Sequence, residues 1–139
     1  MESYKNANLL PRAKLHAAIA DKVYPAFLRG EYDTSVFQAF REVEIAVRFA
    51  GGFQPEVVGV KLMRDAFRPT QGTVAAGPLT DQSLPVAEQE GMMSLFAGAI
   101  GLYKNPQSHR NIPTRPVDAA EVIIFASHLL RLVDRSKPV

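Results

Sequence analysis

Lys104, Asn105 and His109 are the residues of this chain whose types and spacing suit chemistry: a cation, the amide next to it and, five positions after the cation, an imidazole, all at a break between apolar segments. A histidine can accept or release a proton near neutral pH, and a cation can stabilise the charge that grows on phosphoryl oxygens in a transition state. Asn105 can orient either group or bond a phosphate oxygen, while Arg110 and Arg115 add positive potential along the same segment. These types suit cleavage of a phosphodiester in RNA, with Lys104, Asn105 and His109 as catalytic residues and Arg110 and Arg115 binding substrate. The scheme needs no metal and no other cofactor. The spacing also has a plain structural explanation: Lys104 complements a helix C-terminus electrostatically, and Asn105-Pro106 is ordinary helix-ending chemistry.

Other chemistries find little support. The chain has no phosphate-binding glycine loop, no His-Glu-x-x-His motif and no nucleophile elbow, and its 3 histidines are scattered. Having no cysteine excludes a disulfide framework and a thiolate metal site, and it is compatible with a reducing cytoplasm, the expected location. A net charge of +2 and a pI near 9.0 permit a nucleic-acid partner without amounting to a basic tail. Residues 1–14 lack an apolar core followed by a small-residue cleavage site, so no secretory signal is expected. Met92–Tyr103 is too short for a bilayer, and Val122–Val133 is broken by Ser127, His128 and Arg131, so no membrane partner is expected.

The elements that must position the motif read as helices. With 139 residues the chain can bury a core as one domain, and its periodicity predicts an all-α bundle of about five helices. Leu15, Ile19, Val23 and Phe27 recur at a spacing of four over Lys14–Leu28, with Pro25 expected to kink the last turn. Asp33 or Thr34 offers an N-cap for a second helix through Phe49, stopped by Gly51-Gly52. On it, Glu44 and Arg48 read as a helix-surface ion pair. Pro55 is expected to open a third helix ending near Arg68-Pro69. Pro69–Pro85 reads as a long loop, with room for a short hairpin turning at Gly77-Pro78.

Val86–Lys104 forms the fourth predicted helix. Gly98 and Gly101 suggest close approach of another backbone, from an internal helix or a second protomer, and Asn105 before Pro106 predicts an end near Lys104. Pro106–Arg110 can then make one tight turn that folds His109 back toward Lys104. Asp118 with Glu121 resembles a capping box opening a fifth helix to Arg135. His16 and His128 read as partly buried helix histidines with hydrogen-bond partners.

The stretch from Glu90 through Gly98, Gly101, Lys104 and Asn105 to Arg110 resembles the signature of the Ymh-type family of small bacterial proteins. Ala126–Arg135 is similar to that family's closing helix, and Ala39–Arg48 to its early helix, so the likeness spans nearly the whole chain. The resemblance implies membership of the HEPN superfamily: bundles of four or five helices, often homodimers, carrying an Arg-polar-x-x-x-His motif. In active members that motif supports metal-independent RNA cleavage in toxin, abortive-infection or antiphage systems, with an antitoxin or sensor as a further partner. Lys104 falls on the arginine position, Asn105 on the polar position and His109 on the histidine position. Lysine keeps the charge but loses the planar fork that matches a phosphate, which implies weaker cleavage or none. The expectations are therefore two: a HEPN-like ribonuclease, or a non-catalytic HEPN-like module for RNA binding, ligand binding or dimerisation. A blander third is a structural partner whose apolar last helix docks elsewhere.

Overall fold

The computed structural model describes residue 6, residues 8–106 and residues 113–137. Among these the chain is helical and forms no extended strand; the regular β contact is a single bridge between Gln71 and Val74. After a short 3₁₀ turn at Arg12–Lys14, helices α1 (Ala17–Lys22) and α2 (Tyr24–Leu28) share the first predicted stripe. The break falls at Val23, and Pro25 lies in the first turn of α2, where its missing amide proton costs nothing. His16 caps α1, its Nδ1 accepting from the Ala18 N–H at 3.1 Å.

Helix α3 (Tyr32–Gly51) is the central element, with Val36, Phe40, Val43 and Val47 all buried on one face. It begins earlier than an Asp33 or Thr34 cap would place it. Glu31 is the flanking residue and makes no side-chain cap, and Asp33 lies inside the first turn, where its charge suits the helix dipole. The helix closes as expected on Gly52, in the left-handed region at φ 71°.

Helix α4 (Gly59–Ala66) starts four residues after Pro55, the predicted opening. Pro55 instead follows Gln54 in a turn closed by the Val57 N–H on the Gln54 carbonyl at 3.1 Å, a position proline's fixed φ favours. The 69–85 segment is a loop pinned to the end of α4: Gly77 N–H donates to the Arg68 carbonyl and Leu79 N–H to that of Ala66. The bridged turn falls at Gly72, where φ is 55°; Gly77-Pro78 makes a turn too, closed by the Thr80 N–H on the Gly77 carbonyl at 3.1 Å, but among the described residues no β-bridge flanks it. Gly77 also serves the packing, since a Cβ there would run into the Asp65 and Ala66 carbonyls.

Helix α5 (Val86–Ala99) passes into a π turn at Ile100–Lys104, and helix α6 (Pro116–Ser136) closes the bundle against α3. Pro116 opens α6, so Asp118 sits in its first turn and is not the cap. The core runs between these helices: Phe67 stacks on Phe96 at 4.3 Å, joining α4 to α5, while Ile123, Leu129 and Val133 of α6 are buried. His16 is tied to α6 as a bonded histidine, but His128 is exposed. No helix among the described residues is long and apolar enough to cross a membrane.

Candidate functional site

The motif enters the fold through aromatic packing. Tyr103 stacks on Phe40 of α3 at 5.1 Å and meets Phe125 of α6 edge-on at 6.4 Å. Such ring pairs contribute about 0.5–1.5 kcal/mol each beyond the burial itself. That contact fixes the rotation of the π turn. Because Phe40 and Glu44 lie one turn apart on α3, the residue after Tyr103 is delivered to Glu44: Lys104 Nζ stands 3.4 Å from Glu44 Oε2.

Three elements meet on this carboxylate. Glu44 is 5 % exposed and accepts the Gly59 N–H, the first of α4, at 2.9 Å. Arg48, one turn along α3, places Nη1 at 3.5 Å from Glu44 Oε1, and the same nitrogen donates to the Val57 carbonyl at 3.4 Å. Gly59 can present its amide this way because its φ of 68° suits a residue without a side chain. Glu44–Arg48 is thus the expected ion pair, but it lies inside the bundle and not on a helix surface. A carboxylate this buried needs its charge met, and α3, α4 and the π turn each supply a partner.

The backbone at the motif differs from expectation. Asn105 keeps helical angles, φ −64° and ψ −44°, and Pro106 continues the helix, so the helix does not end at Lys104. The Asn105 N–H donates to the carbonyl of Ile100, five residues back. Packing of Tyr103 and pairing of Lys104 hold this segment, and the local preference of a residue before proline yields to them. Gly101 approaches the Val60 side chain of α4, as an internal neighbour requires, whereas a Cβ at Gly98 would meet nothing within 4 Å.

Of the predicted site residues, Lys104 is thus partly buried against Glu44 and Asn105 follows it on the same helix. Arg115 is exposed and flanks the start of α6. His109 and Arg110, and with them the turn expected to fold His109 toward Lys104, lie outside the described residues. Glu44 and Arg48 are the site residues that the motif alone does not reveal. Their signal is a carboxylate four residues after Phe40, at the edge of an apolar stripe, followed by a cation. Among the described residues no group of three histidine, cysteine or acidic side chains is placed to hold a metal ion.

The segments that build this arrangement, α3 and α5 with the π turn, lie within residues 13–133, which match a family described as a protein of unknown function (Hypoth_ymh). The chain belongs to the Hypoth_ymh family. No curated protein and no solved structure matches it. Within this family member, the Lys104–Glu44 contact ties the π turn that follows α5 to α3.

Proposed function

We propose that this Hypoth_ymh protein is a HEPN-like, metal-independent endoribonuclease of a toxin, abortive-infection or antiphage system. The observation that carries the reading is the seating of Lys104: its ammonium is anchored to a buried carboxylate beside a second cation, in a motif whose other members are Asn105 and His109. In the reaction, the ribose 2′-hydroxyl attacks the adjacent phosphorus as the bond to the 5′-oxygen breaks. His109 takes the hydroxyl proton or supplies one to the leaving oxygen, and Lys104 steadies charge on the phosphoryl oxygens. Arg110 and Arg115 hold the RNA strand. A homodimer would bring two motifs into one cleft, and an antitoxin or sensor would restrain the activity in the cytoplasm.

Single-stranded RNA incubated in excess chelator is expected to yield fragments ending in a 2′,3′-cyclic phosphate, and a strand with 2′-deoxyribose at the cut positions should stay intact. Cleavage of the deoxy strand, or no cleavage of RNA, would contradict the proposal.

A second reading, a non-catalytic module for RNA binding, ligand binding or dimerisation, draws on two observations. Glu44 engages the Lys104 ammonium, and α5 with the π turn after it exposes Leu95 at 39 % and Leu102 at 63 % on a face shared with Gly91 and Gly98. It predicts RNA binding without turnover, weakened by Lys104→Ala and by salt but not by His109→Ala.

A further inference from the structure

We infer that Arg48 supplies the guanidinium fork with which this site holds the phosphodiester of a nucleic-acid strand, standing in space beside the lysine that occupies the motif's cationic position. The inference rests on the nuclease reading for its ligand class, and on its own geometry for the residue.

Glu44 carries one negative charge and meets two cations, each on a different oxygen: Arg48 at 3.5 Å on Oε1 and Lys104 at 3.4 Å on Oε2. Among the described residues, one positive charge is left over beside a carboxylate that is 5 % exposed. Away from bulk water an uncompensated charge is felt strongly, and an anion arriving there is attracted by more than a surface cation would offer.

A guanidinium has five N–H donors in a rigid fork. Among the described residues, the polar contacts of the Arg48 side chain run through Nη1, to Glu44 and to the Val57 carbonyl, and neither is short. Its Nε and Nη2 edge meets no acceptor among the described residues, and the side chain is 21 % exposed, so part of the side chain is within reach of a ligand. The planar Nε–Nη2 edge matches two oxygens of one phosphate, the bidentate geometry that a lysine ammonium cannot make.

Arg48 and Lys104 come from different elements, and both are held in place by the same carboxylate, which the Gly59 amide fixes in turn. The fork missing from the motif is therefore restored from α3, four residues along from Glu44. Glu44 acts as a positioning residue for both cations.

The test measures binding of a fluorescent, non-cleavable 2′-deoxy single strand to wild type, to Arg48→Lys, and to Arg48→Lys combined with Lys104→Arg. Arg48→Lys keeps a cation against Glu44 and removes the fork; it should raise Kd about tenfold, and the double variant, with a fork back at position 104, should recover most of that loss. Equal binding by Arg48→Lys and wild type, or no binding by wild type, overturns the inference. The Arg48 Nε–H resonance of unmodified protein supplies a readout that needs no variant: it should shift when the strand is added, and a stationary signal overturns the inference even if Arg48→Lys fails to fold. Cleavage of RNA by wild type is scored separately. Binding that depends on Arg48 without cleavage would sink the nuclease reading alone, and cleavage indifferent to Arg48→Lys would sink the Arg48 assignment alone.

Discussion

His16 and Glu44 each tie helices together through polar side-chain contacts, and they differ in what is left over. At the junction of α1 and α6, His16 commits both ring nitrogens, Nδ1 to the Ala18 N–H and Nε2 to Asp134 at 2.8 Å, while its own backbone N–H donates to Ser127 Oγ. The contact lies near solvent, with Asp134 half exposed. At the junction of α3, α4 and the π turn, one buried carboxylate faces two cations, and among the described residues the Nε–Nη2 edge of Arg48 meets no acceptor. The first junction is closed and its histidine is a structural clamp. The second is stabilising too, but it carries surplus positive charge and unspent donors, the arrangement a site for an anion requires.

Substitutions that separate the two junctions follow in order of expected effect. Glu44→Ala strands Arg48 and Lys104 beside each other and should cost about 3 kcal/mol, lowering the melting temperature by roughly 10 °C. A change of only a degree or two in a calorimetric scan would show that Glu44 is not the keystone described. Gly59→Ala forces a side chain onto positive φ and displaces the amide that orients Glu44; about 1 kcal/mol should be lost, read from urea unfolding midpoints.

His16→Ala removes a cap and the hydrogen bond to Asp134 together, yet should cost only about 1 kcal/mol and leave nucleic-acid binding untouched. Weakened binding in that variant would mean the two junctions are not independent. The smallest effect is expected at Asp134. Burial pushes its carboxyl up, but the hydrogen bond and charge of His16, then those of Lys137, outweigh this and hold it below its ordinary value of 3.8. A carboxyl lowered on folding contributes stability that is complete above its unfolded value and disappears as pH falls through the folded one. Wild type should therefore lose slightly more stability than Asp134→Asn below about pH 4, by well under 1 kcal/mol given the exposure of the pair. Parallel melting curves for the two across that range would remove the pair from the account.

The helical framework was legible in the sequence wherever periodicity was long. Val36, Phe40, Val43 and Val47 mark α3, Gly52 marks its end, and Pro25 marks the break between α1 and α2. Boundaries went astray where tertiary contacts decide them. Pro55 is a good helix opener in isolation, but the Glu44 carboxylate captures the Gly59 amide and sets the start of α4 there. Asn105-Pro106 should stop a helix, and the Tyr103–Phe40 stack carries it onward through a π turn. The site was half legible. Lys104 stands out by type and spacing, but Glu44 and Arg48 look like one more i, i+4 surface pair until burial is known, and burial depends on how α3, α4 and the π turn converge.

The central claim is tested most directly by metal-free cleavage of single-stranded RNA under single-turnover conditions, comparing wild type with His109→Ala and checking both for equal melting temperatures. The account predicts cleavage in excess chelator by wild type and a loss of at least about 100-fold in His109→Ala, the scale of general acid–base catalysis. Equal rates for the two proteins, or an inert wild type, would contradict it.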